Sequence, residues 1–154
     1  MEHPVDIRTR VSAYAIVVEA DRLLLTRLSA ASPVFAPGLW HLPGGGIDPG
    51  EQPAQALARE LHEESGRTPR AVRLVDAKSY TAHRNGTHWH LTGLFYAVDL
   101  APGTLRVTET DGATSAVDWH RIADLTPELL SPAAIDALEL LPRAAGWRTG
   151  LPTD

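Results

Sequence analysis

The feature that most limits how this chain can fold is the stretch His41–Glu51, HLPGGGIDPGE, together with the segment it leads into. Three consecutive glycines open backbone conformations closed to other residues, at a cost in chain entropy. Beyond them, Pro53–Ser65 contains no glycine and is rich in Ala, Leu and Glu. That composition predicts a helix over Pro53–Ser65, with proline tolerated in its first turn. The glycines fit either a loose connector or a main chain that something charged must approach closely. The helix decides between them.

At about 100° per residue, Leu57, Leu61, Ala54, Ser65 and Ala58 share one arc, suited to packing on a sheet. Glu60, Glu63 and Glu64 share the neighbouring arc. Acids three and four residues apart repel, and a bound divalent cation would turn that repulsion into attraction. A merely solvated acidic face is the plainer alternative for a helix in isolation. Here Glu51 stands just ahead of the helix, and the chain has no cysteine, which excludes thiolate metal sites and disulfides. Oxygen-only donors favour Mg²⁺ or Mn²⁺ over zinc. Mg²⁺ is commonly held by protein carboxylates and substrate phosphates together, so an acidic site can hold a polyphosphate.

The remaining segments suggest one domain over residues 1–154, a mixed sheet covered by helices. Val11–Val18 and Arg22–Leu28 read as a hairpin joined by Glu19-Ala20-Asp21. Ser29–Leu39 reads as a loop, and Trp40-His41-Leu42 as a short strand. Ala71–His83 and Thr87–Leu100 form a second hairpin, since Asn85-Gly86 between apolar runs marks a tight turn. Thr104–Thr108 and Ala116–His120 add two short strands. Ser131-Pro132 reads as the cap and first residue of a helix reaching about Leu141, and Pro142–Asp154 as a loosely packed tail.

The residues also resemble a known family. Gly45, Glu51 and then Arg59-Glu60-Leu61-x-Glu63-Glu64-x-Gly66 match the Nudix hydrolase signature, from Gly45 to Arg67. Arg67 stands where the family usually has an aliphatic residue, a change that touches no presumed ligand. The resemblance implies an α/β fold, the Nudix-type α/β/α sandwich with a mixed central sheet and the catalytic loop and helix. It further implies Mg²⁺-dependent, alternatively Mn²⁺-dependent, hydrolysis of a nucleoside diphosphate linked to another group, such as a nucleotide sugar, a dinucleotide or ADP-ribose. By the same resemblance Glu60, Glu63 and Glu64 would supply metal ligands with the carbonyl of Gly44. Glu51 would act through a bridging water or from behind them, and Arg59 would hold the carboxylates in place.

A general base must reach the attacking water. Glu63 and Glu64 are candidates, and so are Glu109 and Asp111 in the later stretch VTETDGATSAVDW, which also reads as an ordinary Asp-Gly turn. Arg27 at the end of the second apolar run and Gly45 are candidates for phosphate contact. Tyr80, Trp89 and Trp40 could stack on a base, although aromatic residues in strands more commonly pack in the core. Alternation places His88 and His90 on one face, with His83 across the hairpin. We read these as a polar strand face or as hydrogen-bonding groups on the substrate side, in preference to a metal site.

Two other functions fit the same residues. One is a house-cleaning nucleoside triphosphate pyrophosphohydrolase; the other is a non-catalytic nucleotide sensor, which the retention of all four glutamates disfavours. The net charge of −5 argues against a broad nucleic-acid-binding face, and thirteen of the fourteen basic residues are arginine. No apolar run approaches membrane-spanning length and no secretory signal is evident, so the expected location is the cytoplasm. The expected partner is a small nucleotide, with a homodimer possible.

Overall fold

The computed structural model describes residues 5–107 and 112–145. Strands β1 (Asp6–Ile16), β2 (Val18–Glu19), β3 (Arg22–Leu28), β4 (Trp40–His41) and β5 (Gly44–Gly46) lead into helix α1 (Pro53–Ser65). Strands β6 (Pro69–Arg84), β7 (Thr87–Leu100) and β8 (Thr114–Arg121) follow, and helix α2 (Pro132–Ala145) comes last. A mixed sheet runs β5-β1-β7-β6, with β1 parallel to β7 and its other pairings antiparallel. A second sheet has β3 paired antiparallel with β2, β4 and β8.

The apolar runs are continuous because both faces of their strands are covered. Tyr14, Ile16, Leu23 and Leu25 join the core that packs on α2, through Ala133, Ala134, Ala137 and Leu140. Their neighbours Ala13, Ala15, Val17 and Leu24 join the opposite core, with Leu57 and Leu61 of α1. The result is a sandwich with one helix on each side. No helix among the described residues is long and apolar enough to cross a membrane.

Several sequence expectations need correction. The first two apolar runs form only a short hairpin: Val18 pairs with Leu23 and Glu19 with Arg22, and the Leu24 N–H donates to the Val17 carbonyl. The chain changes sheets near Val17, because β1 is taken up by β5 and β7. Thr104–Val107 forms no strand, and Thr108 lies outside the described residues. Helix α2 continues past Leu141 through Pro142 to Ala145, with Ala144 buried in the core. Of the expected tail, residues 146–154 lie outside the described residues. On α1, Ala56 is buried and Ala54 exposed, so the inner face is turned from the expected arc and carries Glu64 inward.

The local signals otherwise act as their chemistry requires. Asn85 and Gly86 take positive φ of 53° and 78°, the geometry of a two-residue hairpin turn. Ser131 Oγ accepts the Ala134 N–H at 3.2 Å and caps α2. Helix α1 starts with Pro53 after a Gln52 N–H bond to Gln55 Oε1, and stops at left-handed Gly66.

Candidate active site

The three glycines are a strand. Ser12, Ala13 and Tyr14 of β1 pair with Gly46, Gly45 and Gly44. A Cβ on Gly44 would lie 2.0 Å from the Ala13 carbonyl oxygen, at a φ of +139°. A Cβ on Gly45 would lie 2.8 Å from the Glu60 carboxyl. Glycine therefore lets β5 lie tightly on β1 while α1 brings its acids against the strand.

Those acids are held differently. Glu64 is 4% exposed; its Oε1 accepts the Gly44 N–H at 2.7 Å and its Oε2 accepts the Thr114 hydroxyl from β8. It thereby ties α1 to both sheets. Arg59 donates Nε and Nη2 to the two oxygens of Glu51, each at 2.8 Å, and Nη1 to Glu60 Oε1 at 2.9 Å. Nη2 also reaches the Gly46 carbonyl at 3.1 Å, and Glu63 lies 3.6 Å from Nη1. The forked bond to Arg59, helped by the Asp48 N–H, holds Glu51 well below the usual carboxylate range, at about 2. The same acids push the Arg59 pKa up. This arrangement offsets the repulsion expected among Glu60, Glu63 and Glu64.

Glu60, Glu64, Gly44 and Gly45 line one cavity of about 220 Å³. Arg10, Ser12 and Tyr14 of β1 also line it, with Val34, Phe35 and His41. His41 Nδ1 lies 2.6 Å from Ser131 Oγ. The same oxygen accepts the Ala134 N–H, so Ser131 links the His41 ring to the start of α2. Burial holds His41 neutral, its pKa lowered to about 3. The Tyr14 and Phe35 rings flank it, with centroids 4.8 and 5.2 Å away.

The other predicted site residues lie elsewhere. Tyr80 is half-buried, its ring edge-on to Phe35 and its hydroxyl donated to Asp136 of α2. Trp40 packs against His120 at 4.2 Å. Arg27 is exposed on β3, and neither it nor Trp40 lines the cavity. Trp89 borders a separate surface groove with His83, His88 and His90, where His83 and His88 stack at 4.1 Å. Glu109 and Asp111 lie outside the described residues. Arg10, Phe35 and Thr114 are cavity or anchoring residues that sequence reasoning missed. The alternation Arg10-Ser12-Tyr14 was a usable signal for the first, whereas Thr114 is brought to Glu64 only by the pairing of β3 with β8.

Among the described residues no three His, Cys, Asp or Glu side chains form a ready metal cluster, which applies equally to the histidines and to the glutamates. Mg²⁺ needs no such cage: one or two carboxylates suffice, with waters and substrate phosphates completing its coordination. Glu60 and Glu64, one helical turn apart and facing one cavity, fit that demand with oxygen donors alone.

The NUDIX domain family model matches residues 8–144. A Caenorhabditis elegans protein named as a nudix hydrolase is 30% identical over 117 residues, which are 76% of this chain and 30% of that protein. A Brucella ovis RNA pyrophosphohydrolase is 64% identical over 41 residues, 27% of this chain and 22% of its own. The chain thus spans less than a third of the length of these curated relatives. Among solved structures, the MutT NUDIX hydrolase of Burkholderia pseudomallei superposes with a TM-score of 0.70 at 32% identity, covering 87% of this chain and 98% of that one. With its glycine strand, its acidic helix and a family match along most of its length, this chain belongs to the NUDIX family.

Proposed function

We propose that the chain is a metal-dependent pyrophosphohydrolase that cleaves the pyrophosphate link of a nucleoside diphosphate joined to another group. The observation that carries this reading is the single cavity in which Glu60 and Glu64 meet the glycine strand at one side and Tyr14, Phe35 and His41 at another. Such a cavity offers oxygen donors for a cation beside apolar and aromatic surface for a nucleoside.

Glu60, Glu64 and the carbonyl of Gly44 would hold the ion, with Glu63 beside them; Glu51 acts on this set through Arg59. A bound Mg²⁺ or Mn²⁺ supplies neutralisation of phosphate charge and acidification of water. The protein's own part is positioning. Gly44 N–H and Thr114 fix Glu64, Arg59 fixes Glu60, and the close fit of β5 against α1 fixes both relative to the substrate. The base is identified by comparing E63Q, E109Q and D111N: the variant that loses kcat while still binding Mn²⁺ carries the proton.

A nucleoside triphosphate substrate is the second reading, supported by the likeness to the Burkholderia protein titled MutT. A screen of nucleoside diphosphate derivatives and triphosphates with Mg²⁺ or Mn²⁺, identifying both products, tests the two. Release of a nucleoside monophosphate and a second phosphorylated group from a diphosphate derivative supports the first; pyrophosphate from a triphosphate supports the second. Tight binding without cleavage of any compound makes the protein a sensor and refutes the enzymatic reading.

A further inference from the structure

Two arginines flank the glycine strand, and they are engaged very differently. Arg59 spends all three guanidinium nitrogens on Glu51, Glu60 and the Gly46 carbonyl. Arg10 lies against the other side of Gly46, where a Cβ would meet its guanidinium carbon at 3.0 Å. Its Nε donates to Ser12 Oγ at 3.2 Å, and among the described residues no carboxylate pairs with it. Alternation along β1 directs Arg10, Ser12 and Tyr14 to one face. All three line the cavity that holds Glu60 and Glu64, and Arg10 is the only arginine or lysine in that lining among the described residues. Its charge also bears on Tyr14 and His41 of the aromatic wall.

A diphosphate entering this cavity meets two carboxylates, so its negative charge needs a cation that the protein's acids have not already neutralised. We infer that Arg10 binds non-bridging oxygens of the substrate's diphosphate, and so sets the affinity for phosphate-bearing ligands. This rests on the pyrophosphohydrolase reading and assigns it a substrate-binding residue outside the signature segment. A guanidinium suits the task because its fork can grip two phosphate oxygens, whereas a lysine offers only a point charge. Gly46 is small for a matching reason: a side chain there would displace the guanidinium.

Calorimetric titration of the full chain with inorganic pyrophosphate and with α,β-methylene-ADP, in the presence of Mg²⁺, tests the assignment. Arg10→Gln should weaken both ligands by about 10- to 100-fold, the range for loss of a charge-assisted bond. Arg10→Lys should recover part of the loss, and Arg8→Gln, on an exposed arginine beside Asp6, should bind as the parent does. With the substrate found by screening, Arg10→Gln should raise KM far more than it lowers kcat. Affinities in Arg10→Gln within about twofold of the parent refute the inference, as does an equal loss in kcat with KM unchanged. If the parent cleaves a substrate in either case, the functional reading stands. A parent protein that neither binds a diphosphate nor cleaves one overturns both.

Discussion

Replacing Gly45 by alanine separates the two demands made on the glycine strand. The new methyl would lie 2.8 Å from Cδ and Oε1 of Glu60 and 3.0 Å from Oε2, against an ordinary contact of at least 3.4 Å. The carboxylate must retreat by roughly 0.6 Å or more, pulling on its 2.9 Å bond to Arg59. Because the obstructed atoms are the end of a flexible side chain, the fold should accommodate them. A misplacement of about 1 Å in a catalytic group costs on the order of 10²-fold in rate, so Gly45→Ala should lose about that in kcat/KM with its urea midpoint nearly unchanged. Gly44→Ala is the contrasting case. Its methyl would meet the Ala13 carbonyl at 2.0 Å in a backbone conformation that L side chains rarely adopt. Separation of β5 from β1 should then cost about 3 kcal/mol or more. Urea denaturation and steady-state kinetics on both variants decide the matter. Full activity in Gly45→Ala would refute the placement of Glu60 at the reacting centre. Equal unfolding of both variants would refute the claim that Glu60 gives way.

Four further outcomes are expected. Thr114→Val removes the hydroxyl that donates to the Glu64 carboxylate and should lower kcat by about tenfold, while Thr114→Ser keeps most activity; kinetics on the pair will show whether the hydroxyl matters. His41 has a folded pKa of about 3, below its unfolded value of 6.5, so its contribution to stability is complete above pH 6.5 and is lost as pH falls toward 3. The slope of about 1.4 kcal/mol per pH unit amounts to roughly 2 kcal/mol by pH 5, and His41→Gln should flatten that part of the urea-stability profile. Arg67 is 8% exposed and its Nε has no partner among the described residues, although one terminal nitrogen donates to the Ala101 carbonyl. Arg67→Ile should therefore raise stability by about 1 kcal/mol with activity retained, as calorimetric melting will show. Chelation with EDTA should abolish turnover, and separate restoration by Mg²⁺ and Mn²⁺ will identify the working ion.

Pro53–Ser65 was legible as a helix because its composition, its proline and the following glycine are local signals. The same holds for the Asn85-Gly86 hairpin and the Ser131 cap, each set by residues within one turn of chain. Glu60, Glu63 and Glu64 were legible as a chemical group because helical spacing alone puts them together, and Arg59 joined them only through the family resemblance. Non-local facts were less accessible. The run from Val11 through Leu28 has the pattern of two strands, but nothing local says that they belong to different sheets. Likewise, Glu64 looks like a surface acid from its spacing, yet it is buried because Gly44 and Thr114 offer it donors from two sheets.

By sequence alone, the helix and the alignment of its acids follow from residue preferences and a 3.6-residue period, whereas the pairing of the three glycines with β1 as a strand does not. Tertiary structure decided how those acids are used: Glu51 is clamped by Arg59, Glu64 is drawn inward, and Glu60 faces the cavity. It also decided that Arg10, Phe35 and His41 would share that cavity, while Tyr80, Trp40 and Trp89 pack outside it. The reason is physical. A cavity collects side chains by strand register and sheet order, and both are set by burial across the whole molecule, which no short stretch of chain encodes.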